Sequence, residues 1–180
     1  MKNIVRTIVV SLFLVPVMAI GQSVFDKLED SDKIGTVTIS KGMLGIVASM
    51  SADDKDKETQ EFIELAKSIT NIKVFVSEDH AASKMMKSTA KGYIKTSKLE
   101  SLMKVRDDDS HVDFYVKEGK DSDHVSEMVM LVTGMDKKTE HANFETVLVT
   151  MTGDIDLTKI GSLVNKMNLP KDLEKVNKEE

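Results

Sequence analysis

A chain of 180 residues with 41% apolar, 31% charged and 4% aromatic residues, no cysteine, two prolines and a net charge of −5 has the size and balance of one folded domain. These figures exclude a disulfide-stapled mini-protein, a cysteine-ligated zinc or iron–sulfur site, a collagen-like or proline-rich polymer and a polytopic membrane protein. Residues Met1 to Gly21 hold no acid, two early cations (Lys2 and Arg6) and an apolar run from Ile8 to Ile20. That is the three-part pattern of a secretory signal, and the small residues Ala19 and Gly21 predict cleavage after Gly21. The run is too short and too well terminated for a retained anchor. Its removal leaves 23 basic against 30 acidic residues, a net −7 over 159 residues. Lysines interleaved with acids, with no aromatic platform beside them, argue against a nucleic-acid partner. With no cysteine to carry a lipid, the expectation is a periplasmic or secreted protein with no stable membrane anchor, and not a lipoprotein.

Along the chain, Val24, Phe25 and Leu28 mark a short helix within Ser23 to Lys33, and Thr36 to Ile39 alternates as a strand. Met43, Ile46, Val47 and Met50 fall on one helical face, read as buried. An acidic loop from Ser51 to Lys57 precedes an amphipathic helix with Phe62, Leu65, Ala66 and Ile69 inward and Glu58, Glu61, Glu64 and Lys67 outward. Ile72, Val74 and Val76 alternate with Lys73, Phe75 and Ser77 as a strand covered on both faces. Asp79 is placed to cap the next helix, whose stripe is Ala82, Met85, Met86, Thr89, Ala90 and Tyr93. Strand, helix and strand in this order suggest a right-handed crossover unit. Leu99, Leu102 and Met103 read as one helical turn. Val112 to Val116, Val125 to Thr133 and Phe144 to Thr152 then read as three strands joined by polar turns, an antiparallel meander. Asp156 can cap a last helix carrying Leu157, Ile160, Leu163, Val164 and Met167, which Pro170 ends. The predicted fold is α+β: a mostly antiparallel sheet with a C-terminal three-strand meander and helices mainly on one face. The predicted division is 1–21 signal peptide, 22–169 single domain and 170–180 polar tail.

Three segments together resemble a known family: Thr36-Val37-Thr38-Ile39-Ser40-Lys41-Gly42-Met43-Leu44; Ile69 to Val76; and Val147 to Leu157, the most specific, reading Val-Leu-Val-Thr-Met-Thr-Gly-Asp-Ile-Asp-Leu. Over Phe25 to Met167 the chain resembles the DUF4252 family of exported Bacteroidota proteins. The resemblance implies an envelope or secreted domain with a hint of envelope regulation, and it implies no settled activity and no catalytic residues. Many members look like lipoproteins with a Cys directly after the signal. This chain has Gln22 there, which puts that anchored location in doubt.

Patterns that could carry chemistry are outweighed by plainer readings. Ser88-Thr89-Ala90-Lys91 matches a serine–lysine nucleophile pattern, but the partner elements are missing and the segment reads as solvent-facing helix. Asp53, Asp54 and Asp56, Asp107 to Asp109, and Asp154 with Asp156 could ligate calcium, yet none has the spaced loop with a Gly and a distal Glu, and turn and cap chemistry explains them. Met128 and Met130, read with His124 on one strand face, offer soft donors for copper, whereas methionines at such positions mostly fill cores. His80, His111, His124 and His141 lack metal-site spacing. No cofactor is called for.

The leading expectation is therefore a non-enzymatic, exported binding module that engages another envelope protein, or itself, through its sheet face or an edge strand. The strand from Val125 to Thr133 has apolar residues on both faces. Either it is central between two layers, or Met128, Met130 and Val132 form a partner surface. The competing classes are an envelope hydrolase with an unrecognised polar site and a calcium- or copper-binding exported protein.

Overall fold

The computed structural model describes residues 20–51, 55–106, 110–134 and 144–160. Among them are helices α1 (Ile20–Glu29), α2 (Lys41–Met50), α3 (Lys57–Ser68) and α4 (His80–Thr96). The strands are β1 (Gly35–Ser40), β2 (Ile69–Ser77), β3 (Glu100–Arg106), β4 (His111–Glu118), β5 (His124–Thr133) and β6 (Thr146–Asp156), and a 3-10 turn follows at Leu157–Lys159. The expected signal peptide lies outside the described residues except for Ile20 and Gly21, which open α1; the expected tail lies wholly outside them.

Helix starts follow from short acids that accept orphan N–H groups. Asp56 accepts from the Thr59 N–H at 3.0 Å to open α3, and Asp79 accepts from the Ala82 N–H at 2.9 Å to open α4. Asp156 does the same for Thr158 at 3.0 Å, and Leu157 to Lys159 form a 3-10 turn there. Ile160 follows in helical conformation, and the expected last helix from residue 161 on lies beyond the described residues.

All six strands form one sheet in the order β1-β2-β6-β5-β4-β3, and every neighbouring pair is antiparallel. From β3 to β6 the chain runs strand beside strand. β3 stands where the spacing of Leu99, Leu102 and Met103 predicts a helical turn. A register shift between Ser101 and Met103 breaks its alternation, so its apolar residues fall at a spacing that mimics a helix. Strand, helix and strand do occur as β2, α4 and β3. Four successive antiparallel pairings make β2 and β3 point the same way, with three strands between them.

Side-chain alternation sends neighbouring residues to opposite faces, and each face has its own core. On the first, α2 and α3 bring Leu44, Ala48, Ile63 and Ala66 onto Ile72, Met128, Met130, Val149 and Met151. On the second, α1 and α4 bring Phe25, Leu28, Met86 and Ala90 onto Phe75, Val129, Leu131 and Leu148. Helices thus cover both faces rather than mainly one. The physical reason is in the central strands, which are apolar on both sides and need two layers to remove them from water. Phe75, Ile72, Met86 and Leu148 are among the fully buried side chains, each worth about 1.5–3 kcal/mol of burial.

Candidate functional site

Met128, Met130 and Val132 do not form a free surface. They are 7%, 7% and 8% exposed and sit inside the first core, because β5 is a central strand covered on both sides. His124 is not on the face of Met128 either. The register shift between Val125 and Glu127 puts Val125 in the core with Met128, and alternation turns His124 the other way, where Nδ1 lies 2.6 Å from Asp121 Oδ1.

The exposed apolar side chains lie elsewhere. Met43, Ile46 and Met50 share a stripe of α2, expected inward, that faces solvent, with Met50 83% exposed; Leu44 and Ala48 make the buried contact instead. Beside this helix runs the edge strand β1, whose Val37 is 56% exposed. The two sheet edges differ in their protection. β3 carries Glu100, Lys104 and Arg106 and a register shift, devices that hinder further strand pairing, and Arg106 is fixed by Asp113 at 2.6 Å. β1 reads Gly-Thr-Val-Thr-Ile-Ser, with no charge, no proline and an unbroken register. Its open backbone groups and the α2 stripe together offer hydrogen bonding and apolar area to an extended partner segment.

A second feature is polar and lies on the other face. Across the end of the sheet the register aligns Asn71 of β2, Thr152 of β6 and Glu127 of β5 in one row, with Lys73 and Thr150 in the next. Phe25 of α1 and Tyr93 of α4 close over them, ring centroids 4.8 Å apart, leaving a cleft of about 130 Å³. Tyr93 donates its hydroxyl to Glu127 Oε1 at 2.5 Å, and Lys73 Nζ lies 2.5 Å from Glu29 Oε1. Glu127 is only 8% exposed. Burial first, and the Glu127 carboxylate second, push the Tyr93 phenol up to about 12, so it stays a donor at neutral pH. Asn71 Oδ1 is buried with no hydrogen-bond partner. The cleft is well below the roughly 300–1,000 Å³ of sites that enclose a whole metabolite. Sequence reasoning passed over Glu127; the available signal was a single acid, next to Ser126, at the start of the unbroken apolar run Met128 to Val132.

Residues 27–163 match the family model described as a domain of unknown function, DUF4252. The chain belongs to the DUF4252 family. The matched span reaches from within α1 past β6, so it takes in both sheet edges and the cleft residues other than Phe25. No curated protein and no solved structure matches the chain.

The remaining candidates in this DUF4252 chain are engaged in local structure. Ser88 and Lys91 are exposed on α4. Asp154 pairs with Lys120 at 2.7 Å, Asp56 and Asp156 cap helical turns, and Asp53, Asp54 and Asp107 to Asp109 lie outside the described residues. His80 contacts Glu145 at 3.0 Å, His111 is exposed, and His141 lies outside the described residues. Among the described residues no three His, Cys, Asp or Glu side chains gather as a metal site, and no helix is long and apolar enough to cross a membrane.

Proposed function

We propose that the protein is an exported, non-enzymatic binding module that docks another envelope protein along β1 and the outer face of α2. The carrying observation is the asymmetry of the edges: β3 is charged and irregular, whereas β1 is uncharged, regular and flanked by Met43, Ile46 and Met50. An uncharged edge beside an apolar stripe invites aggregation unless a partner occupies it. The occupant that fits is an extended strand of a second protein, paired to the β1 backbone with apolar side chains reaching α2. Export rests on the signal pattern of residues 1–21, processing after Gly21 leaves Gln22 unlipidated, and the working location is periplasmic or secreted.

The test is capture from the producer's envelope fraction with the wild-type chain and a Val37→Lys/Ile46→Lys variant. Retention by the wild type and loss by the variant, with β1 amides gaining protection from hydrogen exchange when the purified partner is added, is the expected result. An identical captured set for both chains would overturn it. A wild type that instead sediments as a dimer, with the variant monomeric, assigns the same edge to self-association.

A further inference from the structure

The cleft under Phe25 and Tyr93 holds an acid with no cationic partner. Of its two acidic or basic lining groups, Lys73 is already paired with Glu29 at 2.5 Å. Glu127, more than nine-tenths buried, has a neutral phenol as its hydrogen-bond partner, and among the described residues no cation pairs with it. A carboxylate held out of water is costly unless a cation meets it. In the same row, Asn71 Oδ1 is a buried acceptor with no donor, and the Thr152 hydroxyl lies between the two by register. The floor is thus rich in acceptors and short of one positive charge, while the walls are two aromatic rings.

We propose that this cleft is a subsite for a primary ammonium group carried on a slim alkyl chain. Its three N–H donors match the Glu127 carboxylate, the Asn71 carbonyl oxygen and the Thr152 hydroxyl, and the Phe25 and Tyr93 rings suit the cation and its first methylenes. Size agrees: about 130 Å³ holds roughly four water-sized groups, enough for an ammonium head and a short stem. A hard divalent cation fits poorly, since it seeks six to eight oxygens and the cleft supplies one carboxylate. An anion finds its only lysine already paired. The subsite stands on β2 beside β1 but opens on the opposite face of the sheet from α2, under α1 and α4.

The experiment is an NMR titration of the protein, full length or processed as exported, with n-butylammonium chloride at constant chloride, alongside n-butanol as the uncharged isostere. Saturable shifts centred on Asn71, Glu127, Thr150 and Thr152 are expected with the ammonium alone, weakened about tenfold or more in Glu127→Gln. Thr152→Val serves as a second variant if Glu127→Gln lowers the melting temperature too far to titrate. Shifts that never saturate, that n-butanol reproduces, or that survive Glu127→Gln in a folded chain overturn the subsite. A peptide with a free lysine, set against its Nε-acetylated form, separates the sources: discrimination with tighter retention than butylammonium names a lysine side chain, retention equal to butylammonium names a free amine, and both uphold the site.

Discussion

At the Tyr93–Glu127 contact a protonation equilibrium is tied to folding. Burial raises the Tyr93 phenol to about 12, while in the unfolded chain it ionises near its ordinary 10. Above pH 10 the unfolded state binds fewer protons than the native state, so stability is complete below pH 10 and falls as pH rises toward 12. Tyr115 is raised as well, mainly by burial. Absorbance at 295 nm should therefore show no phenolate at pH 10 in the folded chain beyond the foot of the Tyr115 step, and Tyr93→Phe should remove the last step. The same substitution strips Glu127 of its donor and should cost about 1–3 kcal/mol in urea unfolding at pH 7. Gly153 is the second residue whose identity is dictated locally. Its φ is +151°, and a Cβ would stand 2.5 Å from the Ser68 carbonyl oxygen and 2.7 Å from Ile69 Cα, where β2 bulges against β6. Gly153→Ala should destabilise by about 1–3 kcal/mol, measured the same way; an unchanged midpoint would show that the backbone relaxes freely there. This gives a physical reason for the glycine in the Thr-Gly-Asp-Ile-Asp run.

Among the elements, β1 and β3 make opposite predictions. Val37→Lys on exposed β1 should leave the melting temperature nearly unchanged, within about 0.5 kcal/mol of stability, and still remove partner retention. Arg106→Ala on β3 breaks the contact with Asp113 and should leave retention intact. A large loss of stability in Val37→Lys would mean that β1 is held by more than its pairing to β2. These elements also show what could be read from the chain. α3, β2, α4 and β4 were legible because their apolar residues keep one period over several turns or pleats, and β5 because its unbroken apolar run Met128 to Val132 suits a strand covered on both faces. β3 was not, since its register shift scrambles the alternation. The orientation of α2 was not, since Leu44 and Ala48 compete with Met43, Ile46 and Met50 for the inward face and only the neighbouring α3 decides between them. The cleft escaped notice for a different reason. Asn71, Lys73, Thr150 and Thr152 are unremarkable outward positions in two strands, and they converge only once the register sets β2, β6 and β5 side by side.

The molecule as a whole is a sheet between two helical layers, and its strand order has a temporal meaning. β6, the last strand among the described residues, lies between β2 and β5 and pairs with both. Until residues 146–156 arrive, the first two strands and the middle three have no seam joining them, and neither core is closed. A chain ending at Gly134 should therefore lack a cooperative unfolding transition, although it keeps all the other strands; a sharp transition in that fragment would contradict the reading. For a polypeptide made with its N-terminus first, the sheet stays open until residues 146–156 have been synthesised. Delayed closure of this kind makes the joining of the two halves of the sheet a late event, set by the arrival of one strand.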